Sequence, residues 1–299
     1  MPVLTSSISY LLDSRYNDVF FEHYARWATE FDAWHRVKSS DKNYEMEAEY
    51  AGLAAVSEVG EGENFPEDRP TQRYNKTYTH TKYGVITSVA FEAVEDGKFG
   101  VIDDTARAQA RALDETVETD GAKWLNNAFS SAAAYLGPDS KALCATDHPA
   151  ISGTWSNKLA TDSDLATSSL WDAVYLMEET VDDAQKLLRL KPDLLIVSPE
   201  QEQTAKVILQ STQQAGTTNN DANVIRGRNL SLKIGHYLTD ADAWFLADTG
   251  NCPLTWYWRK KPTGTTWMVE DNELKKYKIR ARWSNGFLTG RGLVGTPGA

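Results

Sequence analysis

The sequence predicts an α+β fold on three observations. Residues 103–135 carry the clearest helical periodicity in the chain. Residues 190–211, LKPDLLIVSPEQEQTAKVILQS, read as a buried strand running into a helix. From Asn229 onward the chain reads almost entirely as strands.

The first forty residues read as an irregular arm followed by an amphipathic helix. Phe20, Tyr24, Trp27 and Phe31 recur at helical spacing and give one aromatic face. Such a face serves either a core or a neighbouring subunit.

Residues 41–100 change character. The stretch VGEGENFPEDRPTQRYNKTYTHTKYG is polar and broken by Gly60, Gly62, Pro66, Pro70 and Gly84. The overlapping YNKTYTHTKYGVITSVAFEAV is rich in Thr, Tyr and Val, which is strand composition. Together they predict a long two-stranded excursion. An isolated hairpin is only marginally stable in water, so such an arm is expected to lie on something else.

The helix over 103–135 has Asp103 and Asp104 at its start, where acids suit the helix dipole. Ala106, Ala110, Leu113, Val117, Gly121, Trp124, Ala128 and Ala132 form its apolar stripe. The length is about 50 Å at 1.5 Å per residue. The stripe is mostly small, so another layer can approach closely. Arg107, Arg111, Glu115 and Glu118 are expected on a solvated face.

Residues 138–166 are loop-rich with short strand candidates. A second helix is expected from Ser169 to Leu188, with Leu170, Val174, Met177, Val181 and Leu188 on one face. Leu194 to Val197 is then a continuous apolar run, the pattern of a strand covered on both faces. Ser198 stands at an N-cap, Pro199 at the first helical position and Gln201 three residues after the cap. Residues 212–223 are Asn/Thr-rich and read as a mobile loop. Five strand segments follow: LSLKIGHYL, AWFLA, LTWYWRKK, TTWMVE and KKYKIRARWSNGFLTGRGLVG. No internal repeat is visible.

Composition narrows the function. With 299 residues, 41% hydrophobic and 24% charged, the chain is globular and long enough for a sizeable core. A net charge of −11 argues against a surface built to grip phosphate backbones. It leaves room for a protein that encloses nucleic acid without binding it tightly. No apolar run approaches the roughly 20 residues that span a bilayer. The first residues lack a basic segment and an apolar core, so no signal peptide is expected. Cys144 and Cys252 stand far apart, which suits a reducing compartment. Ten tryptophans provide material for a core and for interfaces alike.

No catalytic constellation stands out. Asp147 and His148 are adjacent, but the chain holds no GxSxG nucleophile elbow. The five histidines are scattered, without metal-ligand spacing, and there is no GxxxxGK[ST]. Ser198-Pro199 has no glycine to bring backbone against a phosphate. The 190–211 unit therefore reads as scaffold, and the chain as a protein whose function is shape and contact. No cofactor or metal is expected.

The order of these elements resembles the major capsid proteins of tailed bacteriophages, with their Hong Kong 97-type fold, and among them the Mu-like major head subunits. The segments carrying the resemblance are CATDHPAISGTWSN, SSLWDAVYLMEETVDD and PDLLIVSPEQEQTAKVILQS, then AWFLAD and RARWSNGFLTGRGLVG. It covers nearly the whole chain. It implies an N-terminal arm and helix over 1–45, an extended loop hairpin over 46–100, a peripheral domain over 101–164 and 256–299 with 103–135 as its spine helix, and an axial domain over 165–255.

The resemblance further implies a homo-oligomeric shell of hexamers and pentamers that encloses double-stranded DNA without sequence-specific contacts. The partners it implies are a portal protein and, in some relatives, scaffolding and decoration proteins, with assembly in the host cytoplasm and a final place in the virion. Inter-subunit contact candidates are Phe65, Arg69, Arg73, Tyr74, Lys76, Tyr78 and Lys82 on the loop. Glu270, Asp271, Glu273 and Lys275 are candidates in a turn at local three-fold contacts. Trp155, Trp171, Trp256, Trp258 and Trp267 serve either contacts or core. The short arm before the loop implies a separate scaffolding protein or none. Lys76 and Lys82 lie where some relatives crosslink, but nothing marks an acceptor Asn, so no crosslink is expected. Two other readings stand beside this one: an encapsulin-like nanocompartment shell, and a soluble α+β hydrolase using Asp147 and His148.

Overall fold

The computed structural model describes residues 5–53, 55–90, 92, 99–213, 222–269, 271 and 273–299. It is built on two four-stranded sheets. In the first, β1 (Arg36–Ser39), β10 (Leu254–Val269), β11 (Leu274–Phe287) and β4 (Thr81–Ala90) lie in the order β1-β10-β11-β4. In the second, β12 (Leu293–Thr296), β9 (Trp244–Ala247), β7 (Leu194–Val197) and β8 (Ser231–Ile234) lie in the order β12-β9-β7-β8. A two-stranded ribbon, β2 (Tyr44–Tyr50) with β3 (Gln72–Thr79), stands apart from both, as does the short pair β5 (His148–Pro149) and β6 (Thr154–Trp155).

Two helices cover one face of the first sheet: α1 (Thr5–Tyr24) and α2 (Phe99–Asn126). Tyr16 of α1 stacks on Tyr277 of β11 at 3.9 Å. Arg15 holds Asp103 of α2 with two hydrogen bonds of 2.7 and 2.9 Å. The small-residue stripe does permit close approach. A methyl group on Gly121 would stand 2.3 Å from the Phe31 Cβ. Trp27, expected on the aromatic helix face, lies past the end of α1 and is 39% exposed, while Phe31 starts a separate 3-10 turn.

The second sheet explains the apolar run at 194–197. Leu194 and Ile196 face the core shared with α1 and α2, while Leu195 and Val197 face a second core. That second core is closed by α3 (Thr167–Glu178) and α4 (Glu202–Gln210). A strand packed on both sides has no solvent face, hence no alternation.

Several boundaries differ from the sequence reading, each for a local reason. The long helix starts at Phe99 and ends at Asn126, not 103–135. The Asn126 amide donates to the Tyr237 carbonyl at 2.9 Å, and the Asn127 amide donates to the Lys123 carbonyl at 2.8 Å. Asn side chains that claim backbone groups in this way favour helix ends. Glu118 is buried, not solvated, and accepts the backbone N–H groups of Glu30 (2.9 Å) and Phe31 (3.1 Å).

The second helix ends at Glu178, ten residues short of the expected Leu188. Asp182 accepts the N–H groups of Ala184 and Lys186, both at 2.8 Å, and folds the chain into a turn. Ser198 and Gln201 do not form a capping box. Ser198 Oγ donates to the Ala241 carbonyl at 2.8 Å and Gln201 Nε2 to the Asp242 carbonyl at 2.7 Å, tying this corner to the β8–β9 loop. LTWYWRKK and TTWMVE are one strand, β10, with register shifts between Trp258 and Thr263. Pro262 there has no N–H to give, and β1 pairs only with Thr255–Trp258, so the proline sits on an open edge. Of the loop read as mobile at 212–223, residues 214–221 lie outside the described residues.

Candidate functional site

The excursion expected between 41 and 100 is paired differently from the sequence reading. β3 pairs with β2, from Tyr44↔Thr79 to Tyr50↔Gln72. β4 leaves it and joins β11 in the first sheet. The ribbon therefore spans β2 and β3, joined by residues 51–71. Ala51 N donates to the Thr71 carbonyl at 2.8 Å and closes the base of this loop. Beyond that bond nearly every described residue is exposed, including Val56 at 100% and Phe65 at 85%.

The base of the ribbon is anchored by alternate glutamates of β2. Glu45 accepts the Ser40 hydroxyl at 2.8 Å. Glu47 accepts from Lys38 Nζ (2.6 Å), Tyr257 OH (2.7 Å) and Tyr78 OH (3.0 Å). Glu49 pairs with Arg291 at 3.0 Å. Arg291 also reaches Asp183 at 3.0 Å, and Asp183 pairs in turn with Arg73 of β3. Burial alone would raise the Asp183 pKa, but its bonds and charge contacts with Arg73 and Arg291 hold it below the usual carboxylate range. For Glu49, burial wins over the attraction of Arg291 and raises the pKa. Arg291 also lies over the Trp155 ring at 4.7 Å.

This geometry divides the predicted contact residues. Phe65 and Arg69 stand on the exposed loop, where Arg69 pairs with Glu67 at 2.7 Å. Lys82 is exposed on β4. Asp271 is exposed in the β10–β11 turn, and Glu273 beside it has φ 47°. Arg73, Tyr74, Lys76 and Tyr78 are instead used within the subunit. Arg73 is committed to Asp183 and stacks over Tyr74 at 4.8 Å. Lys76 lies over the Trp124 ring at 5.6 Å, and burial lowers its pKa. Tyr78 is 2% exposed. Lys275 is buried in β11, not in the turn, because β11 begins at Leu274. Glu270 lies outside the described residues. Of the tryptophans, Trp256 is fully buried and stacks on Trp283 at 5.6 Å, which makes it core. Trp155, Trp171 and Trp258 are half-buried, and Trp267 is 36% exposed.

The anchoring cluster was not found from the sequence. The period-two acids in YEMEAEY were a usable sign of a strand with one charged face. Their partners Asp183, Tyr257 and Arg291 lie too far along the chain for any local pattern, and only Lys38, nine positions before Glu47, is near.

Asp147 and His148 do not form a catalytic pair. Asp147 is held by Lys141, whose hydrogen bond lowers its pKa, while His148 is fully buried. The His148 ring bonds Asp139 at 2.7 Å and Asn157 at 3.0 Å and stacks on Trp155 at 4.3 Å. Both ring nitrogens are thus occupied by structural partners. No group of three or more metal-ligating side chains occurs among the described residues, and none of their helices is long and apolar enough to cross a membrane.

Residues 73–294 match the model of the phage capsid protein family. The chain belongs to that family. It is a viral capsid subunit, and solved shells share its fold. Against the procapsid of bacteriophage JBD30 the TM-score is 0.53, at 17% identity over 98% of this chain and 76% of that one. Against the capsid of the cyanophage P-SCSP1u it is 0.57, at 11% identity over 92% and 89%. Against a virus-like particle from Pyrococcus furiosus it is 0.55, at 9% identity over 95% and 98%. Identities this low carry the fold alone. No curated protein matches the chain. For a capsid protein the loop at 51–71 is the natural candidate site. Its described residues form an exposed loop with apolar groups and no core of its own.

Proposed function

We propose that this capsid protein builds an icosahedral shell of hexamers and pentamers around phage double-stranded DNA, with the 51–71 loop laid on a neighbouring subunit. The observation that carries this reading is the contrast along the ribbon. Its base is fixed by buried ion pairs, while its tip exposes Val56 and Phe65 to water. Exposed apolar groups gain free energy only when a partner covers them. Closed symmetry gives every arm such a partner.

In this reading residues 1–45 are an N-terminal arm and helix that lends β1 to the first sheet, the ribbon is the extended loop, and α2 is the spine of a peripheral domain with that sheet. Residues 165–255, with α3, α4, β7, β8 and β9, form the axial domain, and β12 from the peripheral segment 256–299 pairs with its β9. The Mu-like subtype, a portal at one vertex, scaffolding or decoration proteins and assembly in the host cytoplasm belong to the same proposal. A cellular nanocompartment is the second reading, favoured only by the fold shared with the Pyrococcus furiosus particle. Cargo decides between them. Electron microscopy of particles from infected or expressing cells should show hollow shells several hundred Å across that take up DNA. A chain that remains monomeric with scaffold and portal present would refute the proposal, and shells holding a co-expressed enzyme would support the second reading.

A further inference from the structure

The strands of the first sheet turn one face to α1 and α2; the base of the ribbon covers the other face at Tyr257 and Ser284, and the rest of it is open. On β11, Tyr277, Ile279, Ala281 and Trp283 are buried, so Lys276, Lys278, Arg280 and Arg282 point the other way. Cross-strand partners share a face. Arg282 is opposite Lys82 of β4 and Lys260 of β10, Lys278 is opposite Ile86, and Lys276 is opposite Trp267. The face thus gathers six cations on a chain of net charge −11. None of the six has a salt-bridge partner among the described residues. Lys278 lies over the Trp267 ring at 5.3 Å. Beside it, Lys82, Gly84, Ile86, Lys278 and Arg280 rim a shallow cavity of about 280 Å³.

The exposed loop has the opposite character. Residues 51–71 carry Glu58, Glu61, Glu63, Glu67 and Asp68 against one cation, Arg69. Phe65 projects among them, 85% exposed. The basic run from Lys276 to Arg282 spans roughly 20 Å at 3.3 Å per residue, a length the acids from Glu58 to Asp68 can cover.

We propose that this basic sheet face is the receptor for the acidic 51–71 loop of a second copy of the chain, with Phe65 seated in the cavity beside Ile86. The inference rests on the reading that the loop reaches a neighbour, and it names where the loop lands. Charge attraction steers the loop and fixes its register, and the aromatic ring supplies burial. Because the charges are exposed in the free subunit, the contact is weakened by salt.

The test uses full-length chain and reads the assembled fraction by sedimentation at about 0.05 and 0.5 M NaCl. K278E/R280E inverts two of the six charges on the face beside the cavity, and E61K/E63K inverts two of the five acids of the loop. Each alone should lower the assembly constant by about tenfold or more, and the two together should restore it to near the wild-type value. A second readout pairs Phe65→Cys with Ile86→Cys, since both native cysteines are buried. Oxidised particles should then yield chains linked to one another. Normal assembly of K278E/R280E, failure of the combined variant to recover, or absence of linked chains would overturn the proposal. If deletion of residues 55–70 blocks assembly while K278E/R280E assembles normally, the loop reading stands and this receptor falls. If the deletion also assembles normally, both fall. If K278E/R280E assembles normally but loses affinity for a short DNA duplex, the face belongs to DNA and the proposal is overturned.

Discussion

Asp183 and Arg291 lie 108 positions apart and meet at 3.0 Å under the base of the β2–β3 ribbon. The same carboxylate holds Arg73 on the ribbon itself. One buried acid therefore joins three segments: the turn after α3, strand β3, and the approach to β12.

Removing that acid leaves the half-buried Arg73 without its carboxylate and Arg291 with Glu49 alone. Breaking a buried pair costs about 3–5 kcal/mol. Asp183→Asn should lower unfolding free energy by an amount in that range and speed proteolysis at the ribbon, both measurable on the unassembled subunit. A change below about 0.5 kcal/mol, the size of an ordinary surface substitution, would remove the cluster from its anchoring role.

Much of the architecture is legible in local patterns, and the errors share one cause. The run Leu194 to Val197 betrays a doubly covered strand, and the small stripe from Ala106 to Gly121 betrays a closely packed helix. The boundaries fail where a polar side chain bonds distant or non-helical backbone: Asn126 to Tyr237, Asp182 to Lys186, Ser198 to Ala241. The loop at 51–71 is legible because glycine, proline and acids cluster there. Its anchor is not, because Glu49, Asp183 and Arg291 become neighbours only after the fold closes.

Gly121 offers a test of helix packing against helix propensity. Alanine favours a helix by about 1 kcal/mol over glycine. Here its methyl group would stand 2.3 Å from the Phe31 Cβ and 3.1 Å from Cγ. Overpacking of this kind costs about 1–3 kcal/mol. Gly121→Ala should therefore destabilise the subunit in a denaturant titration, and stabilisation would show that Phe31 is free to move aside.

Two buried groups near Phe31 give opposing pH dependences. Burial pushes the Glu118 pKa up to about 7 despite its two backbone hydrogen bonds. Folding then takes up a proton between about 4.5 and 7, so this group lowers stability as pH rises through that window. Burial lowers the His35 pKa to about 4, against the Phe31 carbonyl bond at 2.9 Å. That group adds stability as pH rises from about 4 to 6.5. The two slopes partly cancel in the native chain. Glu118→Gln should unmask His35, giving stability that climbs with pH over 4–6.5 more steeply than in the native chain. An unchanged profile in urea titrations at pH 4.5, 5.5 and 6.5 would rule out this opposition.

The central claim, that the 51–71 loop joins one subunit to the next, is tested most directly by sedimentation of a loop-deleted chain. The deletion should cover residues 55–70 and spare β3, since Arg73 and Tyr78 anchor the ribbon within the subunit. The full-length chain should sediment as shells under assembly conditions, and the deleted chain as folded monomers or small oligomers with unchanged circular dichroism. Shells of normal size from the deleted chain would contradict the account.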